Sequence, residues 1–437
     1  MNSLGLIFVA ANAIALLSFP RQLLALPLLL GAVLLPLGGG MELAGLDLPP
    51  LRMLIAVGFV RVLVRGERLT GGVNGLDRLL LMWAGWAIVS SLFHDAPLDA
   101  LVNRLGLVYN ACGVYFLLRV MCGSFDDTVR LCRILVVPLS VVAIGMLVEK
   151  ATGHNFFADF GVVSELSSVR GGAIRAQGPF AHAILAGTVG AASLPITIGL
   201  WKQYRKTAIV GIAACCAMVL TSTSSGPILS AVAGIAALLM WHWRGKMRLV
   251  RWLAGAGYVG LELVMNAPAY YIISYIDLTG SSTSFHRAAL IEAALTHLSE
   301  WWLVGTDYTR HWLPYGVNWS ANHADITNYY LRMGVDGGLP LMFLFIGILV
   351  KAFSLVGVGL QRASAVPSQS EFMVWAFGAS LFSHTASFIS VSYYDQSFVF
   401  FDLIIVAICT TATLLAPNER PGPAPRLSHY YPMRPRT

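Results

Sequence analysis

Charge is scarce in this sequence. Asp, Glu, Lys and Arg make up 12% of its 437 residues, against roughly 25% in an ordinary soluble domain, which excludes a water-solvated surface over most of the chain. The signatures of soluble enzymes are missing too: there is no P-loop, no GxGxxG opening a βαβ unit, no GxSxG elbow and no HExxH. The six cysteines, Cys112, Cys122, Cys132, Cys215, Cys216 and Cys409, include no CxxC pair and have no histidine at ligand spacing, so neither a disulfide nor a metal is expected. The first residues lack a basic stretch ahead of their apolar run, and a second run follows at once, which argues against a cleaved signal peptide. A net charge of +7 does not imply nucleic acid, because Lys and Arg sit in short clusters between apolar stretches and form no continuous basic face.

What the chain has is apolar length. Hydrophobic residues make up 57% of it, its mean hydropathy is +0.69, and a membrane span needs only about 20 mainly apolar residues. Apolar runs fall near 3 to 19, 22 to 38, 49 to 65, 77 to 94, 99 to 121, 130 to 149, 179 to 200, 207 to 221, 225 to 242, 249 to 265, 338 to 356, 371 to 390 and 397 to 416. The expectation is an all-α transmembrane bundle of about 12 to 13 spans, forming a single membrane domain over 1 to 437.

Threading these runs places Arg61, Arg65, Arg68 and Arg78, then Arg119, Arg130 and Arg133, then Lys202, Arg205 and Lys206, then Arg244 to 251, then Lys351 and Arg362, on one side. The positive-inside rule makes that side cytoplasmic, together with a Pro-rich tail at 417 to 437 that is expected to be disordered. The opposite side receives Glu42, Asp47, the HDAPLD segment from 94 to 99, a linker near 150 to 178 and a large loop over 266 to 337. The N-terminus belongs there as well, provided that residues 20 to 22 form a true reversal.

A loop of that length without secondary structure of its own is uncommon. Ala288, Ile291, Leu295, Leu298 and Trp302 recur at alternating spacings of 3 and 4, and Ser284 stands where an N-cap belongs, predicting an amphipathic helix over the bundle. Its aromatic continuation, Trp301, Trp302, Tyr308, Trp312, Tyr315 and Trp319, suits an interfacial belt.

The polar residues of chemical interest gather on that same side. Arg175, with Arg170 and His182 nearby, precedes a span and is placed either to grip a phosphate by two parallel hydrogen bonds or to snorkel to lipid head groups. Arg287 falls in the first turns of the loop helix, where free N–H groups and the helix dipole favour an anion. If Asn322 or Asp325 starts a helix, His323, Thr327 and Tyr330 share one face, with Asp325, Asn328 and Arg332 beside it. A histidine or aspartate at that boundary is suited to take a proton from an attacking hydroxyl. Tyr394, Asp395 and Gln396 reach the outer surface, to bind sugar hydroxyls or to cap a turn. His384 and Asp402 lie within spans, where ionisable groups are costly and face a polar interior, and His384 is read as a structural hydrogen bonder. The TSTSSGP turn at 221 to 227 is read chiefly as a helix cap.

In their order along 77 to 416, these features resemble the O-antigen ligase and O-antigen polymerase family of bacterial surface-polysaccharide enzymes. The pieces are Arg175 and Gly178 before an outside-starting span, a Ser-rich turn, Arg287, a Trp-Leu-Val-Gly step at 302 to 305, and a His/Asn segment before a Gly-rich helix start. Three motifs depart from the family, one being the Gly-x-x-Gly after the His-Asn step, whose second glycine is Leu341. Its Ser-Arg-Gly turn reads Ser224-Ser225-Gly226, and its His-Asn step reads Thr327-Asn328, with His323 four residues earlier. The resemblance implies transfer of a glycan from an undecaprenyl diphosphate carrier to a sugar hydroxyl, at the periplasmic face of the bacterial inner membrane, inverting and without metal or cofactor. Arg175 and Arg287 would stabilise the departing diphosphate, and His323 or Asp325 would accept the proton. Arg170, His182, Asn328, Arg332, Tyr394, Asp395 and Gln396 would contact substrate. Membrane lipids, a flippase and a chain-length regulator of the same pathway are the implied partners. Polymerase is the first reading, ligase onto lipid A core the second, and a lipid-linked-sugar transporter or flippase the third.

Overall fold

The computed structural model describes all residues except 1, 36–39, 44–45, 162, 276–282, 315, 318–319, 364–368 and 415–437. The tail from 417 and the aromatic residues Tyr315 and Trp319 thus lie outside the described residues. The protein is mostly helical, at 77%. Ten helices precede the outer loop: α1 Ser3–Ser18, α2 Ala25–Leu34, α3 Pro50–Arg65, α4 Gly75–Ser91, α5 Pro97–Met121, α6 Phe125–Thr152, α7 Ala183–Gly199, α8 Arg205–Thr221, α9 Ser225–Leu239 and α10 Met247–Val264. The loop contributes α11 Thr283–Thr296 and α12 Leu298–Trp301, and α13 Tyr329–Ala363, α14 Gln369–Ser387 and α15 Ser397–Leu414 complete the bundle. Three antiparallel hairpins sit between helices: β1 Met41–Leu43 with β2 Leu46–Leu48, β3 Ser168–Arg170 with β4 Ala173–Arg175, and β5 Gly316–Val317 with β6 Ser320–Ala324.

Over its described residues each of the thirteen apolar runs overlaps a helix, and among the described residues six helical stretches are long and apolar enough to cross a membrane. Ser225–Val264 is one of these six; α9 and α10 join through a 3-10 segment, Met240–Lys246, where the sequence predicted two spans and a loop. No residue of α10 is buried. By contrast α7 and α15 are each buried over 83% of their apolar window and form the centre of the bundle. An apolar helix covered on all sides is what an all-round hydrophobic sequence requires.

Basic residues between the apolar runs find partners within the bundle. At one end Arg61 donates to the carbonyls of Leu16 (2.7 Å) and Phe19 (2.8 Å), Arg119 meets Asp77 at 3.5 Å, Arg133 covers the Tyr204 ring at 4.0 Å, and Arg244 pairs with Glu371 at 3.6 Å. At the other end lie the β3–β4 hairpin, the outer loop and the first residues of α1, where the Asn2 side chain donates to the Asp159 carbonyl. Arg21, just after α1, reaches the Val120 carbonyl at the basic end. Residues 20 to 22 therefore do reverse the chain, and α1 starts at the same end as the linker before α7.

The outer loop carries a core of its own, built from Leu290, Ala294, Trp301, Trp312, Leu313, Ala324, Ile326 and Val335. This corrects the predicted stripe. The helix phase is set by Trp301, whose indole donates to the Ala294 carbonyl at 2.9 Å and packs against Gly334. Leu295 and Trp302 consequently turn outward, at 54% and 51% exposure, while Trp301 and Trp312 are core residues instead of a belt.

Candidate functional site

Arg175 ends β4. Its strand is turned back by Gly171 and Gly172, both at positive φ (56° and 77°), a geometry that suits a two-residue hairpin. The hairpin is then fixed from below by Glu149, a fully buried carboxylate in the last turn of α6. It accepts from the backbone N–H groups of Gln177 (3.1 Å) and Gly178 (2.8 Å) and from the Ser167 hydroxyl (3.0 Å). The neighbouring Lys150 binds the Ile174 carbonyl and the Thr223 hydroxyl, the latter at 2.8 Å. A cation thus stands at the Ser-rich turn even though the turn itself carries no arginine.

Arg175 donates through Nη2 to the Ser224 hydroxyl at 2.6 Å. Its Nε is buried without a hydrogen-bond partner, and among the described residues no carboxylate pairs with it. Burial first, and the like charge of Arg170 second, push its pKa down. Both effects disfavour the bare cation, so an anion arriving here relieves them. Arg170 itself is exposed on β3.

His182 stands exposed at the residue before α7, where its side chain makes no capping bond, and its ring meets that of Tyr394 edge-on at 6.2 Å. Tyr394 is 58% exposed, and burial of its hydroxyl, with the charges of Asp395 and Asp325, raises its pKa. Asp395 and Gln396 do not share that exposure. Asp395 accepts from Ala181 N–H (3.2 Å) and Ser397 N–H (2.9 Å), and Gln396 donates to the Pro179 carbonyl (2.7 Å). At 4% and 0% exposure they cap a turn and tie it to the start of α7. The sugar-binding alternative is thereby corrected for these two.

α11 begins at Thr283, which puts Ser284 inside its first turn instead of at the cap, with Arg287 buried one turn on. The neighbouring His286 donates through Nε2 to the Asp325 carbonyl at 3.2 Å, joining this helix to the segment ahead of α13.

The helix predicted through His323 is not formed. His323 lies on β6, because Asn322 and Ala324 are held by Thr309, through its N–H (2.9 Å) and its hydroxyl (3.0 Å). The true cap is Asn328, whose side chain accepts from Leu331 N–H at 3.1 Å, so α13 starts at Tyr329. His323, Thr327 and Tyr330 therefore share no helical face. His323 Nδ1 lies 2.6 Å from the Ser320 hydroxyl. Burial, then the charge of Arg332, holds its imidazole below the ordinary histidine range, opposed by Asp307 and Asp336.

Those charges belong to a cluster of which the sequence singled out only Arg332 as a site residue. Asp336 pairs with Arg104 of α5 (2.9 Å) and Arg332 (3.0 Å), and Asp307 pairs with His94 (2.6 Å). The signal was a charged residue inside or beside an apolar run: Arg104, Glu149, Lys150 and Asp336 all qualify. The cluster is braced by a break in α13 at Gly337 and Gly338. Leu339 N–H donates to the Trp302 carbonyl (2.8 Å), and Thr306 N–H to that of Val335 (2.9 Å). A Cβ on Gly338 would stand 2.1 Å from the Leu303 oxygen, so the Trp-Leu-Val-Gly step and the Gly-rich helix start interlock backbone to backbone.

Beneath Tyr394 a cavity of about 90 Å³ opens between α4, α5, α13 and α15. Aromatic and aliphatic side chains line it, with Asp402 at depth and one carboxylate oxygen of Asp402 unpartnered. His384, by contrast, is buried against the Tyr393 hydroxyl at 2.8 Å, the structural role read from the sequence. All six cysteines are free. No protein-family model matches the chain, and no curated protein matches it.

Proposed function

We propose that the protein is a membrane-embedded polymerase of surface polysaccharide, acting at the periplasmic face of a bacterial inner membrane that it threads 12 to 13 times. The observation that carries this reading is the state of Arg175: half-buried, without a carboxylate partner among the described residues, and with one N–H left unbonded. An unbonded buried donor on a cation is a standing cost of about 1–3 kcal/mol, more for a charged group, which a diphosphate oxygen removes.

In the proposed reaction an acceptor sugar hydroxyl attacks the anomeric carbon of a lipid-linked glycan. The bond to the diphosphate oxygen breaks with inversion, and the leaving diphosphate carries the negative charge away. Arg175 and Arg287 stabilise that growing charge in a partly dry site. His323, kept neutral by its surroundings, accepts the hydroxyl proton, with Asp325 the second candidate. Exposed Arg170, His182 and Tyr394, with the partly exposed Arg332, surround the glycan, buried Asn328 serving only to cap α13, and the apolar cavity below Tyr394 takes the first units of the polyprenyl chain.

Sizing the cell's glycans after deletion of the protein separates this from the ligase reading. A polymerase deletion accumulates single lipid-linked repeats, whereas a ligase deletion keeps long carrier-linked chains. Movement of lipid-linked sugar across liposomes without any glycan extension would instead support a transporter.

A further inference from the structure

Three potential metal ligands converge on the outer loop, none of them among the groups assigned above. His297 and Glu300 flank the start of α12, and His311 returns to them in the 3-10 turn Arg310–Trp312. His297 Nδ1 lies 2.7 Å from Glu300 Oε1, and His311 Nε2 lies 2.9 Å from Oε2 and 3.1 Å from Oε1. One ligand atom from each residue lies within 4.8 Å of the other two.

The rings are held in place. His297 stacks on Trp312 with planes 8° apart, His311 stacks on Tyr308 at 15°, and the Trp312 indole donates to Glu300 Oε2 at 3.1 Å. An outer hydrogen bond to a ligating carboxylate is what orients it and fixes its ligand oxygen.

We propose that His297, Glu300 and His311 form a zinc site on the outer loop, with its fourth position open to water. Two imidazoles and one carboxylate suit zinc, whose sites take nitrogen and oxygen at about 2.0–2.2 Å in a tetrahedron. Calcium and magnesium prefer oxygen ligands alone. Bonds of that length put neighbouring ligand atoms about 3.4 Å apart, so small side-chain rotations convert the present hydrogen bonds into coordination. His297 and Glu300 are half-buried to exposed and His311 is exposed, giving an ion direct access.

The ion acts as a clip. Between its ligands runs the segment that pins the loop to the bundle: Gly305 against Val335, Thr306 N–H on the Val335 carbonyl, and Asp307 on His94. Joining 297 and 300 to 311 closes that segment at its root. This role is independent of the glycan-transfer reading.

The test uses the untagged full chain in lipid nanodiscs, stripped with a chelator, equilibrated with zinc and then freed of unbound metal. The expected result is one zinc per chain by elemental analysis, visible absorption bands of four-coordinate cobalt after substitution, and slower proteolysis between 302 and 311 with zinc bound. In H311A and E300Q the bound metal falls to background. A wild-type chain that retains no zinc overturns the proposal whatever the variants do, and so does full zinc retention in both variants.

Discussion

Asp336→Ala removes the shared partner of two arginines and tests whether the cluster behind His323 is held as the distances imply. The Arg104 side chain is 7% exposed and Asp336 6%, so removing one member of the pair leaves a buried charge that water cannot reach. Breaking such a pair costs about 3–5 kcal/mol. Arg104 Nε keeps its bond to the backbone oxygen of residue 336 at 3.0 Å, and Arg332 is 33% exposed and recovers water, so the expected loss lies at the lower end, about 3 kcal/mol. Equilibrium unfolding of the purified protein in mixed micelles, followed by tryptophan fluorescence, measures it. The paired replacement Arg104→Met with Asp336→Leu recovers most of the loss, since an apolar pair of similar volume carries no desolvation cost. A loss below about 1 kcal/mol in Asp336→Ala, the range of solvent-exposed pairs, would refute the burial argument.

Further expectations follow from single sites. Gly338→Ala sets a Cβ against the Leu303 carbonyl at a residue with φ of 76°; folded protein recovered from membranes should drop several-fold, because strain and backbone collision act together. Glu149→Gln replaces one acceptor oxygen by an NH2 donor that faces the Gln177 and Gly178 N–H groups or the Ser167 hydroxyl, costing about 1–3 kcal/mol, and should raise hydrogen exchange across 168–178. His323 has a folded pKa below about 6.5. The unfolded chain therefore binds its proton first, and stability is complete above pH 6.5 and lost as pH falls below it. Glycan extension should persist below pH 6.5 and fall only where the folded protein protonates His323, and His323→Gln should abolish extension and flatten the stability limb.

Much of the bundle was legible because its cause is local. Each apolar run found a helix over its described residues, and Arg61, Arg119, Arg133 and Arg244 found partners near the ends of those helices. The outer loop was less legible because its causes are distant in sequence. β6 exists through Thr309, and the Arg104–Asp336 pair spans 232 residues. The stripe through Leu295 slipped by one position since Trp301, not Trp302, found the Gly334 gap. Arg175 was singled out by its place before a span, but its support by Glu149 required knowing that α6 ends beneath the hairpin. Asp395 and Gln396 looked like surface groups because polarity alone does not distinguish a sugar ligand from a turn cap.

Extension of a defined undecaprenyl diphosphate glycan by purified protein in nanodiscs tests the central claim most directly. Wild-type protein should lengthen the glycan one repeat at a time, and Arg175→Ala, correctly folded and membrane-inserted, should reduce the rate by at least about 100-fold, as loss of one transition-state donor does. Wild-type chain length from the Arg175→Ala protein, or no extension by the wild type, would contradict the account.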